Sequence, residues 1–222
     1  MEYSLFTQLL LDNGIPRQIL ELLVAITLLA TLVSIARYIF GFKTYGIYAP
    51  IILAIAYSYS GLRYGLVITA VVIITTLISY SIIKRIRMHY ITRIAINYCL
   101  LSISLVLLFL VVGRYGLGLE NMSNISPLAV ISIAALSDFF IKQYVGKSFK
   151  TTALILGSTI LIAVIGWYLI TRQNVSDFMI NNLWIVPTLI FVNLLIGQFK
   201  GLRIKDFLRF NSILSEKENV PK

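Results

Sequence analysis

The chain reads as an all-α integral membrane protein with seven transmembrane helices, its N-terminus outside and its C-terminus in the cytoplasm. Three observations predict this. Of its 222 residues, 59% are hydrophobic and only 13% charged, with a mean hydropathy of +0.90; a soluble domain is nearer half apolar and a quarter charged. Several apolar runs exceed the roughly 18 residues that mark a spanning helix. The cations fall on alternate connections between those runs. Hydrocarbon offers the backbone no outside partner, so the runs must be helices rather than open strands.

Seven apolar segments follow in order: 18–36, 46–60, 62–83, 91–112, 125–141, 151–170 and 180–199. The second and fifth are short, and either cross fully or re-enter. Alternating sides from the N-terminus puts Arg17, Arg63, Arg114 and Arg172 on one face. The other fifteen of the nineteen cations share the opposite face: Arg37, Lys43, Lys84, Arg85, Arg87, Arg93, Lys142, Lys147, Lys150 and the six beyond residue 199. Lys and Arg concentrate in short cytoplasmic loops, which sets the orientation. Omitting either short segment would scramble the split.

The domain reading follows from these spans. Residues 1–17 are a short extracytoplasmic N-terminus, 18–199 the seven-helix membrane domain, and 200–222 a basic amphipathic cytoplasmic tail. Residues 1–17 carry two acids and no basic leader region, so they do not form a signal peptide. The tail stretch FKGLRIKDFLRFNSIL lies along the membrane surface or docks a cytosolic partner. The closing SEKENVPK has the composition of a disordered segment.

Composition and motifs exclude several functions. The net charge of +10 sits beside apolar spans, where cations set orientation and meet anionic headgroups. No aromatic-rich basic face suits nucleic acid. The single cysteine, Cys99, lies in INYCLLSISL and reads as a small core residue; the single histidine, His89, lies in KRIRMHY and reads as solvated. There is no GxSxG, HExxH, P-loop or GxGxxG, and RYGLGLE (114–120) reads as a loop. The chain therefore predicts no enzyme, no catalytic residue, no cofactor and no metal. Small residues in AIAYSYSG and ALILGSTILIAVIG predict close helix approach.

The two short segments carry the functional argument. GFKTYGIYAP (Gly41–Pro50) leads into the second, and NMSNISPLAVISIAAL starts the fifth. Each has a proline in its first helical turn, where a missing N–H costs nothing. Long spans flank both. Spans 1–3 and 4–6 then form an inverted repeat, an arrangement in which short Gly/Pro-bearing segments point to a site. Helix N-termini favour anions; Arg37 and Lys43 stand near one, Arg114 near the other. The candidate ligand contacts are Arg37, Gly41, Lys43, Thr44, Gly46, Pro50, Arg114, Pro127 and Asp138. The plainer reading is a tight turn with headgroup anchors. Asp138 pairs with Lys142 four residues on, and Glu21 favours the dipole at the first turn of span 1.

These residues resemble a known family. ARYIFGFKTYGIYAPIILAIAYSYSGLRYGLVI resembles the signature of the bacterial seven-transmembrane domain usually fused to an inactive transglutaminase-like domain. The matching positions are Arg37, Gly41, Thr44, Gly46, Pro50, Gly61-Leu62 and Gly65-Leu66. SPLAVISIAALSDFF resembles that family's fifth span, with Ser126-Pro127 and Ser137-Asp138-Phe139 where Phe-Pro and Glu-Arg-Phe are usual. KGLRIKDFLRF resembles its closing basic motif. The likeness covers about residues 18–212. It departs at the front, where about 17 residues replace a large extracytoplasmic domain, so any binding by that domain falls to a separate transglutaminase-like protein or is absent. More distantly, the chain is similar to the small membrane subunit of poly-γ-glutamate capsule machinery.

The resemblance implies a non-catalytic subunit of the bacterial cytoplasmic membrane. It would work beside an ATP-grasp ligase-like cytosolic protein on an anionic peptide-like or cell-envelope substrate. Two alternatives stand beside it: an autonomous small-anion transporter built on the inverted repeat, and a membrane anchor for a cytosolic enzyme.

Overall fold

A computed structural model describes residues 5–84, 86, 88–115, 125–146 and 148–198. The tail 200–222, most of RYGLGLE, Arg85, Arg87 and Lys147 lie outside the described residues. Among the described residues are ten helices and no strand: α1 Leu5–Asp12, α2 Arg17–Tyr38, α3 Tyr48–Ser60, α4 Leu62–Ile83, α5 Tyr90–Tyr115, α6 Pro127–Ala134, α7 Leu136–Gly146, α8 Phe149–Thr171, α9 Gln173–Asn181 and α10 Ile185–Gln198.

Helices α2, α4, α5 and α8 have 22, 22, 26 and 23 residues. At 1.5 Å per residue each exceeds the about 30 Å of a hydrocarbon core. These four are long and apolar enough to cross a membrane, and α9 with α10 makes a fifth if the pair counts as one span. The remaining apolar segments differ from their expected form. The second is the 13-residue α3. The fifth, expected as one helix over 125–141, is split at Ala135 into α6 and α7. Asp138 lies in the first turn of α7, where a carboxylate favours a fresh helix N-terminus. The seventh is the 14-residue α10, set at 99° to α9. The chain turns where Asn182 leaves helical geometry. The helices α1 and α9 were not expected; their apolar stripes are too short to register as spans.

Contacts fix the run of each helix. α2 lies antiparallel to α8: Leu29 and Leu32 meet Gly166, and Arg17 reaches Asp177 just past the end of α8. An added methyl at Gly166 would stand 3.2 Å from the Ala54 Cβ, so small residues do bring α2, α3 and α8 close. α3 runs parallel to α8, with Tyr45 ahead of α3 bonded to Thr152 and Thr159 and Ala54 beside Gly166. α4 returns antiparallel to α3, and the Tyr57 hydroxyl meets the Thr69 Oγ1 at 2.9 Å. α5 packs on α4, and α6 on both α3 and α4. α10 runs beside α2, tied by the Asn193 amide donating to Thr31.

The molecule thus has two unlike ends. At one, α2, α4 and α7 finish while α5 and α8 begin. At the other lie α1, the start of α2, the end of α3 and α9. The core between them is formed by Leu29, Leu53, Tyr57, Ile68, Val72 and Ile133. Outside it, Ile103 and Leu110 of α5, Leu154 of α8 and Phe191 of α10 are exposed. Hydrocarbon explains so much apolar surface; water does not. Cys99 is exposed on α5 rather than in the core. Hydropathy cannot tell a lipid-facing apolar position from a buried one, which is why the sequence misplaced it.

Candidate functional site

The elbow between α2 and α3 is built residue by residue. At Gly41 (φ 80°) the chain leaves α2 through the left-handed region that glycine allows, and the Phe42 N–H reaches back to the Ala36 carbonyl. Thr44 closes the next turn. Its hydroxyl donates to the Gly46 carbonyl at 2.7 Å, and the Gly46 N–H donates to the Thr44 carbonyl at 2.9 Å. Gly46 again needs positive φ, 68°. This turn points Tyr45 inward, where it is 2% exposed.

Tyr45 is held on three sides. Its N–H donates to the Thr159 Oγ1 at 3.1 Å, its hydroxyl donates to the Thr152 carbonyl at 3.0 Å, and its ring meets Phe140 edge-on at 6.5 Å. The Ser158 hydroxyl donates to the Lys43 carbonyl. Non-helical backbone packed among apolar helices needs protein partners for its polar groups, and α8 supplies them. Ser158 and Thr159 stand about ten residues into α8, or about 15 Å. The elbow is therefore level with the middle of α8, not with its end.

Around this buried wedge the cations stay outside. Arg37, in the last turn of α2, and Lys43 are both exposed, and neither is ion-paired among the described residues. Lys84, Lys142 and Lys150 are exposed beyond them, at the end where α8 begins. Pro50 is buried in the first turn of α3 and Pro127 opens α6, as their spacing predicted. Arg114 is exposed at the end of α5, and Pro127 begins the next described helix; residues 116–124 between them lie outside the described residues. The nine candidates therefore separate. Arg37 and Lys43 gather at the elbow, whereas Arg114 and Pro127 stand at the opposite end.

Asp138 belongs to a small polar group. One carboxylate oxygen is 2.9 Å from the Lys142 ammonium and the other accepts from the Tyr90 hydroxyl at 3.1 Å. The Asp138 hydrogen bond and charge raise the Lys142 pKa above its ordinary value. Nearby, the buried Asn97 amide donates to Ser137 at 3.2 Å.

Sequence reasoning missed a second feature at the other end. A cavity of about 280 Å³ opens between α2, α3, α8 and α9, with Glu21, Ser58 and Ser176 among its lining groups. Glu21 is not in the first turn of α2, as expected, but in the second, because the helix begins at Arg17. There its Oε1 accepts from the Arg17 Nε at 2.8 Å, and the same guanidinium bridges to Asp177. No local pattern signals a pair 160 residues apart. Among the described residues no group of three His, Cys, Asp or Glu could hold a metal ion.

No curated protein and no solved structure matches the chain. One family model does, over residues 1–214. Its transmembrane helices agree with the apolar helices and the exposed apolar surface. The chain is a multi-pass membrane protein and belongs to the family described as seven transmembrane helices usually fused to an inactive transglutaminase.

Proposed function

We propose that the chain is a non-catalytic membrane subunit that engages an anionic peptide-like or cell-envelope substrate at the elbow. The observation that carries this reading is the pair of exposed cations, Arg37 in the last turn of α2 and Lys43 on a turn pinned level with the middle of α8. Ionisable groups at such depth mark function more often than structure. Long side chains can still reach an anion at the surface. The further cations Lys84, Lys142 and Lys150, at the end where α8 begins, extend a positive field toward it.

In this reading all seven apolar segments cross, the elbow end faces the bacterial cytoplasm, and spans 1–3 and 4–6 are inverted copies. Packing supports the copies. If α2 corresponds to α5, α3 to α6–α7 and α4 to α8, contacts between the halves come in exchanged pairs. α3 lies on α8 and α6–α7 on α4; α2 touches α8 and α5 lies on α4; α3 and α6 face one another. The directions of the helices alternate as seven crossings require. A cytosolic ATP-grasp ligase-like protein and an extracytoplasmic transglutaminase-like protein are the partners this subunit would serve.

The test is a mild-detergent pull-down of the tagged chain from native membranes, with the eluate identified by mass spectrometry, in wild type and Arg37→Ala. A ligase-like or transglutaminase-like partner in wild type, with envelope function lost in the variant although the protein still accumulates, bears the proposal out. Full envelope function in Arg37→Ala/Lys43→Ala refutes the elbow as the site.

A further inference from the structure

We infer that the cavity at the end opposite the elbow is a binding site for a small organic ammonium ion with an apolar body. Its volume, about 280 Å³, lies at the lower edge of ligand pockets, which suits a molecule with a short carbon skeleton. Its floor is aliphatic, with Leu22, Ala25, Ile55 and Ile170 among the lining. Its polar groups are the Glu21 carboxylate, the Gln18 amide and the hydroxyls of Ser58, Tyr59 and Ser176; each can accept a hydrogen bond, and Glu21 is the one charged side chain in the lining. An ammonium carries three donors and no acceptor, so this set matches it.

The charges point the same way. One guanidinium, Arg17, is shared by two carboxylates, Glu21 and Asp177. Arg63, Arg114 and Arg172 are the other cations assigned to this end, and none lines the cavity. Arg172 is instead stacked over the Tyr168 ring, 4.6 Å from its centroid. Glu21 therefore lines the cavity as its one charged group, with Asp177 beside the cavity sharing the same guanidinium, whereas the elbow end is cationic. An anion that suits the elbow is disfavoured here. The two ends would discriminate ligands by opposite charge.

The experiment uses the purified full chain in nanodiscs of a choline lipid. The probes are n-pentylammonium, n-pentanol and n-pentanoate at equal ionic strength, and the readout is the midpoint of thermal unfolding. Pentylammonium alone should raise the midpoint in a saturable way. Glu21→Gln should weaken that response about tenfold or more, the loss expected of a charge-assisted hydrogen bond. Ala25→Leu, which narrows the floor and leaves the Arg17–Glu21 pair in place, should also abolish it. An equal response to all three probes, a response to pentanoate alone, or undiminished binding in Ala25→Leu overturns the assignment. The wild-type comparison decides the matter even if Glu21→Gln fails to fold. Repeating it with an ethanolamine lipid separates the ammonium sources: weakened pentylammonium binding there means a headgroup occupies the site, and unchanged binding means a free amine does.

Discussion

Tyr45 is the residue on which the elbow turns, and three substitutions divide its contribution. Tyr45→Phe removes only the hydroxyl that donates to the Thr152 carbonyl. That carbonyl remains inside α8 with its helical partner, so the cost is about 0.5–1.5 kcal/mol. Thr159→Val removes the acceptor of the Tyr45 N–H and keeps the side-chain volume. A buried donor is then orphaned, which costs about 1–3 kcal/mol. Tyr45→Ala removes a ring that is 2% exposed and its edge-on contact with Phe140. The resulting cavity costs about 3–5 kcal/mol. Arg37→Ala, by contrast, strips an exposed side chain and should stay within about 0.5 kcal/mol of wild type. The assay is reversible unfolding in mixed micelles, read by near-ultraviolet circular dichroism. If Tyr45→Ala unfolds with wild-type stability, the elbow is not pinned to α8 and the reasoning about buried backbone fails.

Three further expectations can be checked alongside. Gly65→Ala should destabilise by about 1–3 kcal/mol in the same unfolding assay, because the added methyl overlaps the Tyr57 ring, which is buried and tied to Thr69. Asp138→Ala removes an ion pair whose partner is 54% exposed, so stability should fall by less than about 1 kcal/mol and envelope function should persist. In intact cells carrying a Cys99→Ala background, a membrane-impermeant thiol reagent should label Ser176→Cys and spare Lys43→Cys; the reverse pattern would invert the orientation.

Much of this architecture could be read from residue order alone. Apolar length and alternating charge locate every long helix to within a few residues, because lipid tolerates little else between α2 and α8. The prolines mark the starts of α3 and α6 because a helix accepts Pro50 and Pro127 only in the first turn. What the sequence hides is long-range. GFKTYGIYAP looks like a polar interruption, yet it buries Tyr45, and the stretch's partners Thr152, Ser158 and Thr159 lie more than 100 positions away. Hydroxyls on an apolar helix carry no mark of what they will bond. Cys99 faces outward because periodicity within a uniformly apolar helix such as α5 does not separate lipid from core. Glu21 acquires its role from Asp177, and Ala25 from α9; neither neighbour is visible locally.

The appended segment α9–α10 explains why the two ends differ. Spans 1–3 and 4–6, taken as inverted copies, contain no counterpart of α9 to close the start of α2. α10 covers α2, and no described helix covers α5 in the corresponding place; α5 shows Ile103, Leu107 and Leu110 outward instead. α9 closes over the start of α2 and brings Asp177 and Met179 to it. The cavity exists only because α9 forms its fourth wall. A chain ended after Thr171 would keep the elbow and its cations and lose the acidic cavity. Truncation at that point should therefore abolish the pentylammonium response while elbow variants still report through Tyr45. If ammonium binding survives the truncation, α9 is not part of the site.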